Sequence, residues 1–111
     1  MTLEALSTHV HDGIEVSESG SSLVLRIVGD VDAETLTSIE PAVMVAVASG
    51  SSVVLDVADV TFCDSHGLGL FIAAATKARA QGTHFAVRGL RAPIRHLFEI
   101  TGLSQEIELI P

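Results

Sequence analysis

The run Val53–Gly69, VVLDVADVTFCDSHGLG, constrains this chain more than any other stretch. Val53, Val54, Leu55 and Val57 make a strand apolar on both faces, as a central strand must be. After a turn comes the small-residue elbow Asp64-Ser65-His66-Gly67-Leu68-Gly69. Leu68, Phe71, Ile72 and Ala75 then recur at helical spacing, which predicts a helix opened by Ser65 or its neighbour, with these four as its buried stripe. A hydroxyl at such a strand-to-helix junction is exposed and approachable. Ser65 is therefore the specific chemical handle of the sequence.

The rest of the pattern fits around that unit. Ile14 and Val16 predict a short half-exposed strand, Ser17–Ser22 a turn, and Leu23, Leu25 and Ile27 a second strand alternating with Val24, Arg26 and Val28. Leu36, Ile39, Val43, Met44 and Val47 predict a helix ending before Gly50; Pro41 within it argues for a regular start near Ser38. Lys77 and Arg79 suit the end of the elbow helix, and Gln81-Gly82 stops it. His84–Arg88 reads as a further strand. Pro93 opens a third helix with Ile94, Leu97, Phe98 and Ile100 as its apolar face, and Glu106–Ile110 reads as a last short strand. The order β-β-α-β-α-β-α-β implies an α/β fold. The later strands pair in parallel by right-handed crossovers, the first hairpin is antiparallel, and about three helices pack on a mixed sheet of four to five strands.

The 111 residues suffice for one domain, with residues 1–12 as a flexible N-terminus. With no Trp or Tyr and only four Phe, the core must be aliphatic. The net charge is −8, and residues 1–40 hold eight acids against the single Arg26. Nucleic acids and anionic membranes need a basic face, so neither is an expected partner. The apolar runs are far shorter than the roughly 18 residues of a membrane span. No basic segment followed by an apolar core marks the N-terminus, so a cytoplasmic protein is expected. The lone Cys63, among apolar neighbours, reads as a buried inert thiol.

Each candidate site has a plainer reading beside it. Ser65 as a hydrolytic nucleophile would need glycine at position 63, where Cys63 stands, and a base geometry that the adjacent His66 does not itself supply. Gly67-Leu68-Gly69 lacks the third glycine of a dinucleotide loop, and packing of the helix start on the sheet explains it better. His9 and His11 have nothing nearby to complete a metal site and read as a solvated terminus. Asp30 reads as a turn or rim residue and Asp32 as a helix cap. No catalytic residue, metal or cofactor is expected. Ser65 itself divides evenly between a helix cap and an acceptor of phosphate, which would add about −1.5 to −2 charges.

Asp56–Phe71, DVADVTFCDSHGLGLF, resembles the signature of STAS domains, and specifically of bacterial anti-sigma factor antagonists. Ile27–Asp32, IVGDVD, resembles the family's strand-ending Gly-acid-apolar-Asp. Ala92–Leu103, APIRHLFEITGL, resembles its third helix. The resemblance runs from about Leu23 to the C-terminus and rests on three spaced motifs.

The resemblance implies a binding switch, not an enzyme. An antagonist of this kind binds an anti-sigma factor that is also a serine kinase and so releases the sigma factor. The kinase phosphorylates the serine after the motif aspartate, here Ser65, and the antagonist lets go until a PP2C-type phosphatase restores it. By the same resemblance, Asp30, Asp32, Asp64, Ser65, His66 and Gly67 form the partner-binding surface. His66 departs from the family, which typically has a small Ser or Thr there. A weak homodimer is compatible with such a surface. The alternative is a constitutive STAS subunit of a transporter, lipid-transport or stress-sensing assembly.

Overall fold

The computed structural model describes residues 8–11 and 13–111. Its elements are β1 (Thr8–His11), β2 (Ile14–Ser19), β3 (Ser22–Ile27), α1 (Leu36–Ala48), β4 (Ser52–Asp56), α2 (Ser65–Gln81), β5 (Phe85–Arg88), α3 (Ala92–Ile100), α4 (Leu103–Glu106) and β6 (Glu108–Ile110). The six strands lie side by side in chain order. β1, β2 and β3 form an antiparallel meander, and β3 to β6 run parallel. Each parallel crossover steps to the next strand in the same direction, so right-handed connections bring the helices to one face of the sheet.

That face holds the core. Leu25, Ile27, Val53, Leu55, Phe85 and Val87 are buried there with Ile39, Val43 and Val47 of α1, Leu70, Phe71 and Ala74 of α2, and Ile94 and Phe98 of α3. Phe71 and Phe98 meet edge to face at 5.2 Å, joining two helices across the middle of the layer. On the other face the register lines up Glu15, Arg26, Asp56 and Arg88. Arg26 bonds Glu15 at 2.8 Å and also holds Asp59, and Arg88 bonds Asp56 at 2.9 Å.

The α/β class and the mixed sheet match expectation, but details differ. The sheet has six strands, not four to five, because Thr8–His11 pair with Ser17–Ile14 instead of remaining a flexible lead-in. Four residues with Val10 as their single aliphatic give no readable alternation. Residues 1–7 and 12, and the side chains of His9 and His11, lie outside the described residues.

α1 begins at Leu36 and carries Pro41 inside it, ahead of the expected start near Ser38. Proline leaves the Thr37 carbonyl without its helical donor. Thr37 and Pro41 are both exposed, so water reaches that carbonyl and the helix tolerates the loss. Ile72 and Ile100, expected on buried stripes, are 47% and 66% exposed. Leu103–Glu106 coil into α4, which shortens the last strand to Glu108–Ile110.

Candidate functional site: the elbow at Ser65

β3 and β4 diverge after Ile27 and Asp56, yet their continuations meet again. Val31 and Cys63 form an isolated parallel bridge. Val31 N–H donates to the Phe62 carbonyl at 2.9 Å, and Asp64 N–H donates to the Val31 carbonyl at 3.2 Å. The Thr61 hydroxyl donates to Asp30 Oδ1 at 3.3 Å. Residues 30–32 and 61–64, some thirty apart in sequence, are thereby tied into one surface. Val31 and Cys63 point into the core, while Asp30 and Phe62 are exposed.

Asp32 is spent locally. Its Oδ1 accepts from Thr35 N–H at 2.9 Å, and its own N–H donates to Thr35 Oγ1 at 3.0 Å. The carboxylate thus closes the turn that leads into α1, one turn ahead of Leu36, close to the capping role expected of it.

The opening of α2 assigns the two elbow side chains different work. Asp64 stands at the N-cap in extended conformation, and its Oδ1 accepts from Gly67 N–H at 3.0 Å. That amide holds the Asp64 carboxyl below the usual carboxylate range, with His66 adding to the effect against a smaller burial cost. Its Oδ2 lies 3.6 Å from His66 Nδ1. Ser65 is the first residue of the helix and is exposed, and among the described residues its hydroxyl makes no hydrogen bond. Of the two roles open to Ser65, capping belongs to Asp64.

Gly67 brings the helix down onto the bridge. A Cβ there would lie 2.6 Å from Cys63 Sγ, 2.8 Å from Val31 Cγ1 and 2.9 Å from the Val31 carbonyl oxygen. Cys63 itself is buried, and burial, with the charge of Asp64 second, pushes its thiol up to about 11. It is a packing residue, as its neighbours in sequence suggest. A groove of about 430 Å³ lies elsewhere, between α1 and the β2–β3 hairpin, lined by Val16, Leu23, Pro41 and Val45. The elbow is a surface with an exposed hydroxyl on it.

The family described as "Mlab, STAS domain" matches residues 14–111. The chain belongs to the STAS family. An anti-sigma-B factor antagonist of Listeria monocytogenes is 34% identical to it over 98 residues, covering 86% of each chain. The crystal structure of an anti-sigma factor antagonist from Mycobacterium paratuberculosis superposes with a TM-score of 0.81 at 27% identity, over 88% of this chain and 84% of that one. The unphosphorylated form of the anti-sigma factor antagonist SpoIIAA superposes with a TM-score of 0.73 at 18% identity, over 88% of each, and shares the fold.

Within this STAS domain the residues singled out from sequence do assemble. Asp30, Asp64, Ser65 and His66 share the exposed elbow, Asp32 stands at its margin, and Gly67 lies beneath it. Sequence reasoning passed over Thr61 and Phe62. The period-two alternation Val60-Thr61-Phe62-Cys63 carries the signal, since a buried Cys63 sends Phe62 outward. Among the described residues, no helix is long and apolar enough to cross a membrane.

Proposed function

We propose that this STAS domain is an anti-sigma factor antagonist that acts in the cytoplasm by binding, with no chemistry of its own. Its unphosphorylated elbow engages an anti-sigma factor that is also a serine kinase and frees the sigma factor. Phosphorylation of Ser65 ends the contact, and a PP2C-type phosphatase reverses it.

The observation that carries this reading is the division of labour at the elbow. Asp64 caps the helix, and the exposed Ser65 hydroxyl makes no hydrogen bond among the described residues. A phosphate there gains from the helix N-terminus, so the fold survives modification. The same phosphate sets about two more negative charges beside Asp30 and Asp64. A partner fitted to the unmodified surface then meets a changed charge and shape. The names carried by the relatives support the same reading.

The test is incubation with the purified anti-sigma factor kinase, ATP and Mg²⁺, followed by intact mass and a binding assay. One added phosphate, absent from Ser65→Ala, with loss of binding on phosphorylation, is expected. Equal phosphate on Ser65→Ala would sink the switch. Binding without any phosphate added would point to a constitutive binding subunit.

A further inference from the structure

The helix layer stops short of the sheet on its β2 side. Val16 of β2 and Leu23 of β3 are only half-buried, whereas Ile14, Leu25 and Ile27 on the same face are covered. The crossovers that follow α1 step away from β2 toward β6, so no described helix flanks α1 on that side. The gap is the groove of about 430 Å³, floored by Val16 and Leu23 and walled by Pro41, Ala42 and Val45. Val45 is 71% exposed, the most of any large aliphatic or aromatic side chain among the described residues. The core takes Ile39, Val43 and Val47 from α1 and has no use for Val45. A β-branched residue is also a poor choice for helix propensity alone.

Ser38, Pro41, Val45 and Ser49 recur three to four residues apart and line one flank of α1. That flank is about 16 Å long, or about three turns of helix. Its far end is electronegative. Ser49, the C-cap of α1, precedes Ser52, which pairs with Ser22 at the start of β3. Glu18 stands opposite Leu23 in register, on the Val16 side of β2, and is exposed. Glu18 therefore lies at the same end of the groove as the C-terminus of α1. That terminus is the negative pole of the helix dipole, and no basic residue in the last turn offsets it. Arg26 gives no relief, because it lies on the other face of the sheet, bonded to Glu15 and Asp59.

We propose that this groove receives an amphipathic helix of a partner protein, about three turns long. Its apolar stripe packs on Val16, Leu23 and Val45, and a Lys or Arg at one end meets Glu18 and the end of α1. The bound helix extends the helix layer over β2, alongside α1. Charge selects the occupant. An anionic lipid surface brings negative charge to Glu18, and so does a second copy of this chain with its net charge of −8. The groove shares no residue with the Ser65 elbow, so it is a second, separate surface.

A synthetic amphipathic helix of Leu, Ala and Lys, about four turns long, tests this by fluorescence anisotropy against the full chain, with thermal unfolding run on each variant. Binding on the order of 10 μM is expected. Val45→Ser should weaken it about 10-fold. Glu18→Lys should weaken it at least about threefold and remove much of its salt dependence. Both positions are exposed, so both variants should fold. Ile100→Ser, a similarly exposed position on α3, should bind as wild type does. No binding, equal binding of a scrambled peptide of the same composition, or wild-type affinity in Val45→Ser would each overturn the proposal. If the peptide binds only after residues 1–7 are removed, the groove belongs to the chain's own N-terminus and the proposal falls. It falls too if the peptide acts by dissolving a concentration-dependent dimer, since the occupant is then a second copy. None of these results bears on phosphorylation of Ser65, which is read separately by intact mass.

Discussion

Gly67 and Cys63 are packed so closely that a single methyl on the glycine would stand 2.6 Å from the sulfur. The Val31 carbonyl, at 2.9 Å, blocks the other direction, and it is backbone held by Asp64 N–H. Gly67→Ala must therefore push α2 off the Val31–Cys63 bridge. Overpacking of this kind costs about 1–3 kcal/mol, and the gain in helix propensity offsets about 1 kcal/mol of it. A net loss of up to about 2 kcal/mol is expected from urea unfolding.

Gly69→Ala should move the other way. Its Cβ enters open space on an exposed helical position. A gain of about 0.5–1 kcal/mol is expected in the same urea experiment. Two glycines two residues apart thus answer the same substitution with opposite signs, and a loss at Gly69 would show that the backbone there needs glycine after all.

The sequence made one of these glycines legible and not the other. Gly-Leu-Gly reads as a packing device, which holds for Gly67; the pattern alone does not separate Gly67 from Gly69, because what separates them is the bridge of Cys63 with Val31, and Val31 lies thirty-six residues earlier. The sheet and the elbow were readable because periodicity is a local signal, carried by runs such as Leu23–Ile27 and Val53–Val57. β1 was not, because its pairing is supplied by β2 and not by its own four residues. Ile72 misled for a related reason. An aliphatic at helical spacing reads as core, whereas three-dimensional packing leaves it outside.

Asp64 ties helix stability to pH. Its carboxyl titrates below the ordinary range, chiefly because Gly67 N–H bonds the charged form. A group depressed in the folded state stabilises above its unfolded value and loses that stabilisation as pH falls through the folded value. The acid limb below about pH 4 should therefore contain an Asp64 component. Asp64→Asn keeps an oxygen to accept from Gly67 and should retain most of the cap while flattening that limb. Asp64→Ala should lower the melting temperature at neutral pH as well. Identical acid limbs in wild type and Asp64→Asn would refute the assignment.

The open face of the sheet has its own acid-sensitive pair. Burial raises the Asp56 carboxyl, but Ala58 N–H and the Arg88 guanidinium together outweigh it and hold the group below its usual value. Arg88→Met removes one of those two donors and leaves the aliphatic stem to pack. Arg88 is partly exposed, so solvent screens the pair and the expected loss is about 1 kcal/mol at neutral pH. The loss should shrink as pH falls through the folded value of Asp56, where the carboxylate charge disappears in wild type too. A pH-independent difference between the two proteins would mean that Arg88 acts through packing alone.

Cys63 reports whether the elbow opens. The thiol is 6% exposed and is pushed up to about 11 by burial, with Asp64 second. At pH 8 the thiolate is then on the order of a thousandth of the total, so alkylation of the folded protein should be slow and should run through opening of the Val31–Cys63 bridge. Iodoacetamide labelling followed by intact mass measures that opening directly. Gly67→Ala, which wedges α2 away from the same sulfur, should speed labelling more than Arg88→Met does, even if the two variants lose similar global stability. The reason is positional: the glycine contacts the thiol, and the arginine lies on the far face of the sheet. Labelling of wild type at the rate of a free thiol would show that the elbow is open already, and with it the close packing of Gly67 on Cys63 would fall.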